Sequence, residues 1–426
     1  MAMAMVVKNP AAPIDLMRSR RGSKRRSAKQ WAFRAGMAVI ALTAGLGAAA
    51  ISVAQFYANK DPVLAYALLP LDGRITARLA ENYFFEKPVG TAGLPAERLA
   101  SLAIEQDATA LRAVTTLGFL AQLRGESEKA RDLFEYAQRL SRRDLKTQLW
   151  AIEDAVSRGD AGEALRHYDI ALRTSKTAPA IMFPILTEAL TDPAIRSGLV
   201  PILARRPAWG PSFIAHALAN HGDPQALVAL FVSLHSVGKP VSSDASSSVV
   251  NQLVLTNKIE DGWRYYSSLS PKVERTRSRD PNFRGGAFSS QFDWVITNDS
   301  GISTSLQQGE KDGAFVFSVS SGAGGIMLQQ LQMLPHGTYR LEGRGSLNET
   351  EQAVPYWSLT CRDGREIGRV DFRPNDFQGN FIVPADCPSQ TLALIARPSD
   401  KVGGISGQVD YVLLSLKQSD RSGTPK

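Results

Sequence analysis

The chain has 426 residues, of which 44% are hydrophobic and 21% are charged, and its net charge is +8. The first 60 residues carry ten Lys or Arg against one Asp, so the rest of the chain has a net charge of −1. A nucleic-acid-binding protein concentrates positive charge on a folded face. This distribution therefore argues against a nucleic-acid partner.

An apolar stretch over residues 35–59 contains no charged residue and is rich in Ala, Val, Ile, Leu and Gly. It is long enough to cross a hydrocarbon core of about 30 Å as a helix. Because the basic residues lie before it, the pattern predicts a basic cytoplasmic tail (1–34), one transmembrane helix (35–59) and the remaining mass beyond the membrane. Ala41, Gly45 and Ala49 would allow close helix pairing in the bilayer, although an Ala/Gly-rich composition explains them equally well.

Two alternatives concern the same segment. Residues 52–54 (Ser-Val-Ala) form a small-residue cleavage site, which would make residues 1–54 a long signal peptide. Residues 19–21 (Ser-Arg-Arg) resemble a twin-arginine signal, but residues 22–24 (Gly-Ser-Lys) replace the apolar residues expected next.

The chain contains two cysteines, Cys361 and Cys387. An even pair in a translocated domain predicts a structural disulfide, with free buried thiols as the alternative. The pair does not form a Cys-x-x-Cys motif, which argues against redox catalysis.

Residues 61–269 show apolar residues at helical spacing, interrupted by Gly, Pro and Asp-Pro pairs. We predict a stack of helices with no strand between them. Three helices are expected to begin with Asp as the cap and Pro at the first helical position, at Asp61-Pro62, Asp192-Pro193 and Asp223-Pro224.

The most informative feature of this region is internal repetition with a spacing of 34 residues. Gly125 and Gly159 mark a turn in each copy. The residues expected to pack the two copies are Leu117, Gly118, Ala130, Phe134 and Ala137, and then Ala164, Tyr168 and Ala171.

These residues resemble the tetratricopeptide repeat over about 111–178, because small residues let paired helices approach while an aromatic ring fills the gap. The second copy lacks the Leu-Gly pair, and Pro179 lies about one position late. Residues 61–108 and 180–269 lack the motif and are read as diverged repeats or caps. The resemblance implies a protein partner and no chemistry; a generic helical-hairpin domain is the alternative.

Residues 270–282 are rich in Pro, Arg, Ser and Asp, which predicts a linker. Beyond it the apolar period becomes two, which predicts about eight short strands and a β-sandwich over 283–417, followed by a disordered tail (418–426). The alternating sets are Phe315/Phe317/Val319, Tyr339/Leu341, Trp357/Leu359/Cys361, Leu392/Leu394 and Val409/Tyr411/Leu413. The chain is thus predicted to be a multi-domain α plus β protein.

The second domain resembles the galactose-binding-like jelly rolls that include many carbohydrate-binding modules. The resemblance rests on Phe-Asp-Trp at 292–294, the turn into a strand at 334–341, and the closing strand 407–414. It implies a fold and a possible glycan ligand, whereas function must come from a site.

No motif indicates catalysis, a metal or a cofactor. The histidines show no metal-ligand spacing; they are His167, His216, His221, His235 and His336. No Gly-x-Ser-x-Gly elbow is present, and Asp371, Asp376 and Asp386 lie near expected turns.

Strand parity predicts one candidate binding surface. If Trp357 and Tyr339 point into the core, then the residues next to them on each strand point outward. The predicted ligand-binding set is Tyr356, Arg340, Arg344 and Arg397. An ordinary solvated sheet face is the alternative; Trp294 and Trp357 are expected in the core.

The leading hypothesis is a non-enzymatic protein of the bacterial inner membrane with its bulk in the periplasm. The helical repeats would bind a protein, and the sandwich would bind a polysaccharide or another envelope component, in synthesis or export of a surface polysaccharide. The alternatives are a purely protein-binding scaffold of division or secretion machinery, and a glycan-modifying enzyme with two converging carboxylates.

Overall fold

The structure is a computed structural model, and it describes residues 28–86, 93–220, 222–285, 289–348, 354–400 and 403–417. The described residues form fourteen helices followed by ten strands, in agreement with the predicted order. The chain divides into two compact units, Met1–Leu140 and Ser141–Lys426. Most of the predicted basic tail, His221 and the predicted disordered tail lie outside the described residues.

The helices of the first unit are α1 (Ala28–Tyr57), α2 (Pro62–Leu68), α3 (Gly73–Glu86), α4 (Gly93–Gln106), α5 (Leu111–Leu123) and α6 (Ser127–Leu140). The helices of the second unit are α7 (Leu145–Ser157), α8 (Ala161–Thr174), α9 (Ala178–Ala189), α10 (Pro193–Ala204), α11 (Gly210–Ala219), α12 (Pro224–Ser236), α13 (Ser243–Leu255) and α14 (Ile259–Leu269).

The strands, all in the second unit, are β1 (Val295–Ile296), β2 (Ile302–Gln307), β3 (Ala314–Val319), β4 (Gly325–Gln332), β5 (Gly337–Leu347), β6 (Tyr356–Cys361), β7 (Glu366–Asp371), β8 (Asn375–Val383), β9 (Gln390–Ala396) and β10 (Ile405–Leu416).

Helix α1 contains the predicted apolar segment. Among the described residues it is the one helix long and apolar enough to cross a membrane, and a signal sequence passes the same test. Its C-terminal end packs into the first unit, where Ala54 and Ala58 join Ala65 and Ile75 in a buried cluster.

The three predicted Asp-Pro helix starts are confirmed. The side chains of Asp61, Asp192 and Asp223 cap α2, α10 and α12, and each accepts a hydrogen bond from a backbone N–H of the first turn. Each carboxylate pairs a backbone donor that the helix itself leaves free.

The helical hairpins α5–α6 and α7–α8 have the same turn geometry. Gly125 (φ 79°) and Gly159 (φ 73°) adopt left-handed conformations, which glycine tolerates without strain. In the first hairpin, a Cβ on Gly118 would lie 2.8 Å from the Phe134 ring, so glycine is what lets this ring enter. The geometry agrees with the 34-residue spacing, and the tetratricopeptide identity stays a prediction.

The strands form two five-stranded antiparallel sheets. Their orders are β1-β4-β9-β6-β7 and β2-β3-β10-β5-β8, which we call the helix-side sheet and the open sheet. The core between them contains Trp294 and Trp357, as predicted, with ring centroids 6.0 Å apart. A Cβ on Gly343 would lie 2.2 Å from the Phe377 ring, so this glycine makes room for core aromatics.

The helix-side sheet packs against the last two helices within the second unit. Leu331 and Met333 share a buried cluster with Trp263 and Phe292. The backbone N–H of Gln291 donates to Asn251 Oδ1 at 2.9 Å. Phe292, expected at the start of the sandwich, therefore lies on its helix-facing side.

Arg279 lies in the segment predicted to be a linker, and it is 6% exposed. Its guanidinium donates to the carbonyl oxygens of Phe292 (2.6 Å) and Leu331 and to Gln332 Oε1 (3.2 Å), and it lies 5.3 Å from the Trp263 ring. Burial lowers the pKa of Arg279 to about 10, so it remains charged at neutral pH. The segment thus joins helices and sheet through a buried charge.

Candidate functional site

The four predicted ligand-binding residues fall into two pairs on different sheets. Arg340 and Arg344 lie on β5 of the open sheet, whereas Tyr356 is on β6 and Arg397 follows β9, both in the helix-side sheet. The outward parity predicted for Arg340, Arg344 and Tyr356 is observed, since none of the three is buried, and Arg397 is half-buried. The two pairs do not share one face. In a sandwich the inner faces of the two sheets meet in the core, so the outer faces of the two sheets point in opposite directions.

The open sheet carries a groove of about 560 Å³ on its outer face, which we call the β5 groove. Its polar lining comes from three neighbouring strands and comprises Arg340, Glu342, Arg344, Asp376, Gln378 and Tyr411. In the strand register, Arg344 lies opposite Asp376 on one side and Tyr411 on the other. Tyr411 and Gln378 are groove residues that the sequence reasoning missed.

Tyr411 reaches this face because of a β-bulge. The alternation Val409/Tyr411/Leu413 predicted that all three face one side, but the pairing of β10 with β5 shifts register between Val409 and Tyr411. An extra residue in one strand reverses the parity beyond it. Val409, Val412 and Leu414 are therefore buried, while Tyr411 is half-buried on the outer face.

The two arginines of the β5 groove differ in their polar contacts. The Arg340 guanidinium donates to Gln378 Oε1 at 2.6 Å and lies 3.4 Å from a Glu342 carboxylate oxygen. The Arg344 side chain has no hydrogen bond or ion pair with any described residue. Burial, followed by the negative charge of Glu342, raises the pKa of the Tyr411 phenol. The groove thus offers, beside a neutral phenol, a guanidinium that no described residue pairs.

The second pair forms what we call the Tyr356 patch. The guanidinium carbons of Arg369 and Arg397 lie 4.7 and 4.8 Å from the centroid of the Tyr356 ring. Arg397 is paired with Asp371 (2.7 Å) and Arg369 with Glu366 (2.6 Å). Cation–π contacts and ion pairs thus occupy the ring and both arginines, so Tyr356 is less available for stacking on a sugar than its exposure on the strand predicted.

Metal ligands, histidines and paired carboxylates are the other groups that could carry chemistry in the described part of the chain. No group of three or more His, Cys, Asp or Glu side chains there could hold a metal ion. His167 is buried in α8, where Nδ1 donates to Gln148 Oε1 at 2.7 Å, and burial lowers its pKa. Asp371 and Asp376, considered as a carboxylate pair, lie on strands of different sheets.

The two cysteines form a disulfide between Cys361 and Cys387, with Cα atoms 5.6 Å apart. It ties the end of β6 to the loop before β9. This is the pairing that the sequence predicted.

Comparison with known proteins finds no matching family model and no similar curated protein. Among solved structures, the chain is similar to TmCBM61 in complex with β-1,4-galactotriose, with 16% identity over 33% of this chain and 97% of that one, and a TM-score of 0.24. It is also similar to the Clostridium thermocellum Xyn10B CBM22-1-GH10 modules complexed with xylohexaose (14% identity, 35% of this chain, TM-score 0.23). A third similar structure is the enzymatically active domain of bacteriophage CBA120 tailspike protein 4 (14% identity, 34% of this chain, TM-score 0.24).

The chain spans 29% of the Xyn10B chain and 21% of the tailspike chain. The C-terminal sandwich resembles carbohydrate-binding modules, as the sequence predicted. At TM-scores of 0.24 and below, this similarity carries no argument about ligand, site or activity.

Proposed function

We propose that this chain is a membrane-anchored, non-enzymatic glycan-binding protein whose sandwich binds a polysaccharide in the β5 groove. The observation that carries the proposal is the groove itself, an open polar concavity of about 560 Å³ in which Tyr411 lies beside Arg344, whose side chain no described residue pairs. The predicted periplasmic setting, a protein partner of the helical repeats and a role in surface polysaccharide synthesis or export belong to the same proposal.

The chemistry of the groove suits a sugar chain. A pyranose ring has an apolar C–H face and a rim of hydroxyl groups, so it pairs with an aromatic ring and with planar polar side chains. Tyr411 supplies the ring, Arg344 and Gln378 supply donors, and Asp376 supplies an acceptor for hydroxyl hydrogens. The strands fix the backbone positions of these groups, so binding orders only their side chains, at a cost of about 0.5–1.5 kcal/mol for a rotamer-rich one such as Arg344.

Retention of α1 as an anchor is supported by packing. Ala54, the last residue of the alternative cleavage site, is fully buried in a cluster with Ala65 of α2 and Ile75 of α3. Cleavage after it would divide this cluster. The N-terminal sequence of the protein, recovered from both the membrane and the soluble fraction of its native cells, tests the point, because a mature terminus at position 55 would refute retention.

The binding test uses the full chain in lipid nanodiscs, since maltoside detergents carry competing sugars. Biolayer interferometry against β-1,4-galactan, xylan, alginate and dextran would compare the wild type with Tyr411→Ala and Arg344→Ala. We expect each variant to lose about tenfold or more in affinity for the polymer that binds, as for a central aromatic or arginine contact.

Tyr356→Ala and Arg397→Ala are the matched controls on the other sheet, and they should bind like the wild type. Binding lost only in these two would move the site to the Tyr356 patch. Binding to none of the polymers by a folded chain would leave the protein-binding scaffold as the better hypothesis.

The proposal that the chain does not cleave the polysaccharide is tested separately. Hydrolysis of a glycosidic bond would need two carboxyl groups flanking that bond, and in the groove the Glu342 carboxylate lies 3.4 Å from the Arg340 guanidinium that it pairs with. We therefore expect no new reducing ends when the bound polymer is incubated with the chain. Release of reducing ends that stops in Glu342→Gln or Asp376→Asn would overturn this expectation.

A further inference from the structure

A second cavity, far in sequence from the sandwich groove, lies between helices α11 and α13, which pack against each other. Its volume is about 770 Å³, within the roughly 300–1,000 Å³ that is typical of ligand sites. We call it the α11–α13 groove. Leu203 and Leu234 are buried beneath it, and Ile214 and Leu218 are half-buried in its lining.

The polar side chains of this groove include two exposed cations. Arg206 comes from the loop before α11 and Lys239 from the loop after α12, and neither side chain has a hydrogen bond or ion pair with a described residue. Asp244, on the first turn of α13, is the one carboxylate in the lining. Arg206 also has a φ of 53°, which is uncommon for a residue other than glycine.

We infer that the α11–α13 groove binds an acyl chain with an anionic head, that is, a long-chain fatty acid. The acyl chain has no hydrogen-bonding groups and matches the leucine and isoleucine wall. The carboxylate matches Arg206 and Lys239, which outnumber the single acid. Binding combines burial of apolar surface with attraction between the carboxylate and the cations of the lining.

Photo-crosslinking of the full chain in phosphatidylcholine nanodiscs tests this inference. A diazirine-bearing palmitic acid is bound and irradiated, and the labelled peptides are mapped by mass spectrometry. We expect the label on peptides from residues 203–252. Ala215, an exposed residue of the lining, allows the groove to be filled without disturbing the buried core.

Ala215→Trp should reduce groove labelling about tenfold or more, and the paired change Arg206→Glu with Lys239→Glu should reduce it about tenfold. Ser212→Trp and Arg205→Glu are the controls, since both residues are exposed and outside the groove lining. Neither control should change the labelling, and circular dichroism verifies folding of every variant.

Three results would overturn the inference. Labelling in the groove that Ala215→Trp leaves unchanged would show that the acyl chain does not occupy it. Equal labelling by a diazirine-bearing hexadecanol would show that the anionic head is not recognised. Label confined to α1 would indicate simple partition into the nanodisc lipid.

Discussion

Replacing Arg279 with Met should loosen the junction between the last helices and the sandwich. The change removes the donor for two backbone carbonyls and for Gln332 Oε1. Arg279 is 6% exposed, so these acceptors lie away from solvent. Each buried acceptor left unpaired costs about 1–3 kcal/mol. Relief of the buried charge offsets several kcal/mol of this, so we expect a net loss of about 3 kcal/mol in local stability.

Hydrogen–deuterium exchange on the full chain in nanodiscs measures this loss. The Leu331 amide, which donates to the Gln291 carbonyl at 2.8 Å, is the reporter at the junction. A loss of about 3 kcal/mol corresponds to exchange faster by on the order of 100-fold if opening is local. Arg279→Lys keeps the charge without the planar fork and should show an intermediate effect.

The matched control is Arg277→Met, two residues earlier, where the arginine is exposed. It should leave exchange at the Leu331 amide unchanged. Wild-type exchange in Arg279→Met would refute the reasoning, because the three acceptors would then have found other donors at no cost.

Three further predictions concern packing, the disulfide and pH. Gly118→Ala should lower the stability of the first unit by about 1–3 kcal/mol in thermal unfolding, because the added Cβ would lie 2.8 Å from the Phe134 ring. Reduction of Cys361–Cys387, which encloses a separation of 26 residues, should cost the sandwich roughly 3 to 4 kcal/mol, measured by unfolding with and without a reducing agent. Burial lowers the pKa of His167 below its unfolded value of 6.5, so the unfolded chain binds more protons at this residue than the folded chain does. The contribution of the neutral ring to folding stability is therefore present above pH 6.5 and is lost as the pH falls below that value. Melting curves between pH 7.5 and 5 should therefore show a larger loss for the wild type than for His167→Gln.

Controls exist for two of these changes. Gly162→Ala places a Cβ 3.6 Å from the nearest atom, an ordinary contact, so it should leave stability unchanged or raise it slightly. His235 is exposed at the end of α12, so His235→Gln is the matched control for replacing a histidine by glutamine. A Gly118→Ala variant as stable as Gly162→Ala would mean that the Phe134 ring moves aside freely.

Much of the β5 groove was within reach of the sequence. Outward parity of Arg340 and Arg344 follows from the alternation along one strand, and it is observed. Tyr411 was missed because a bulge between Val409 and Tyr411 reverses the parity, and no residue pattern in β10 marks where the partner strand slips. The prediction that Tyr356 shares one surface with Arg340 and Arg344 was wrong for a related reason. Parity shows which residues of a strand face outward, but it does not show to which sheet the strand belongs.

The amino-acid sequence alone determines the features that depend on neighbours along the chain: the apolar helix α1, the aspartate caps, the glycine turns, and the change from helical to alternating period. These rest on hydrogen bonds and steric limits within a few residues. Folding in three dimensions places Arg279 beneath Trp263 and forms a groove from α11 and α13. Both features depend on contacts between segments that are distant along the chain. For Arg279, burial and packing override the polar composition of residues 270–282, which read locally indicates a linker.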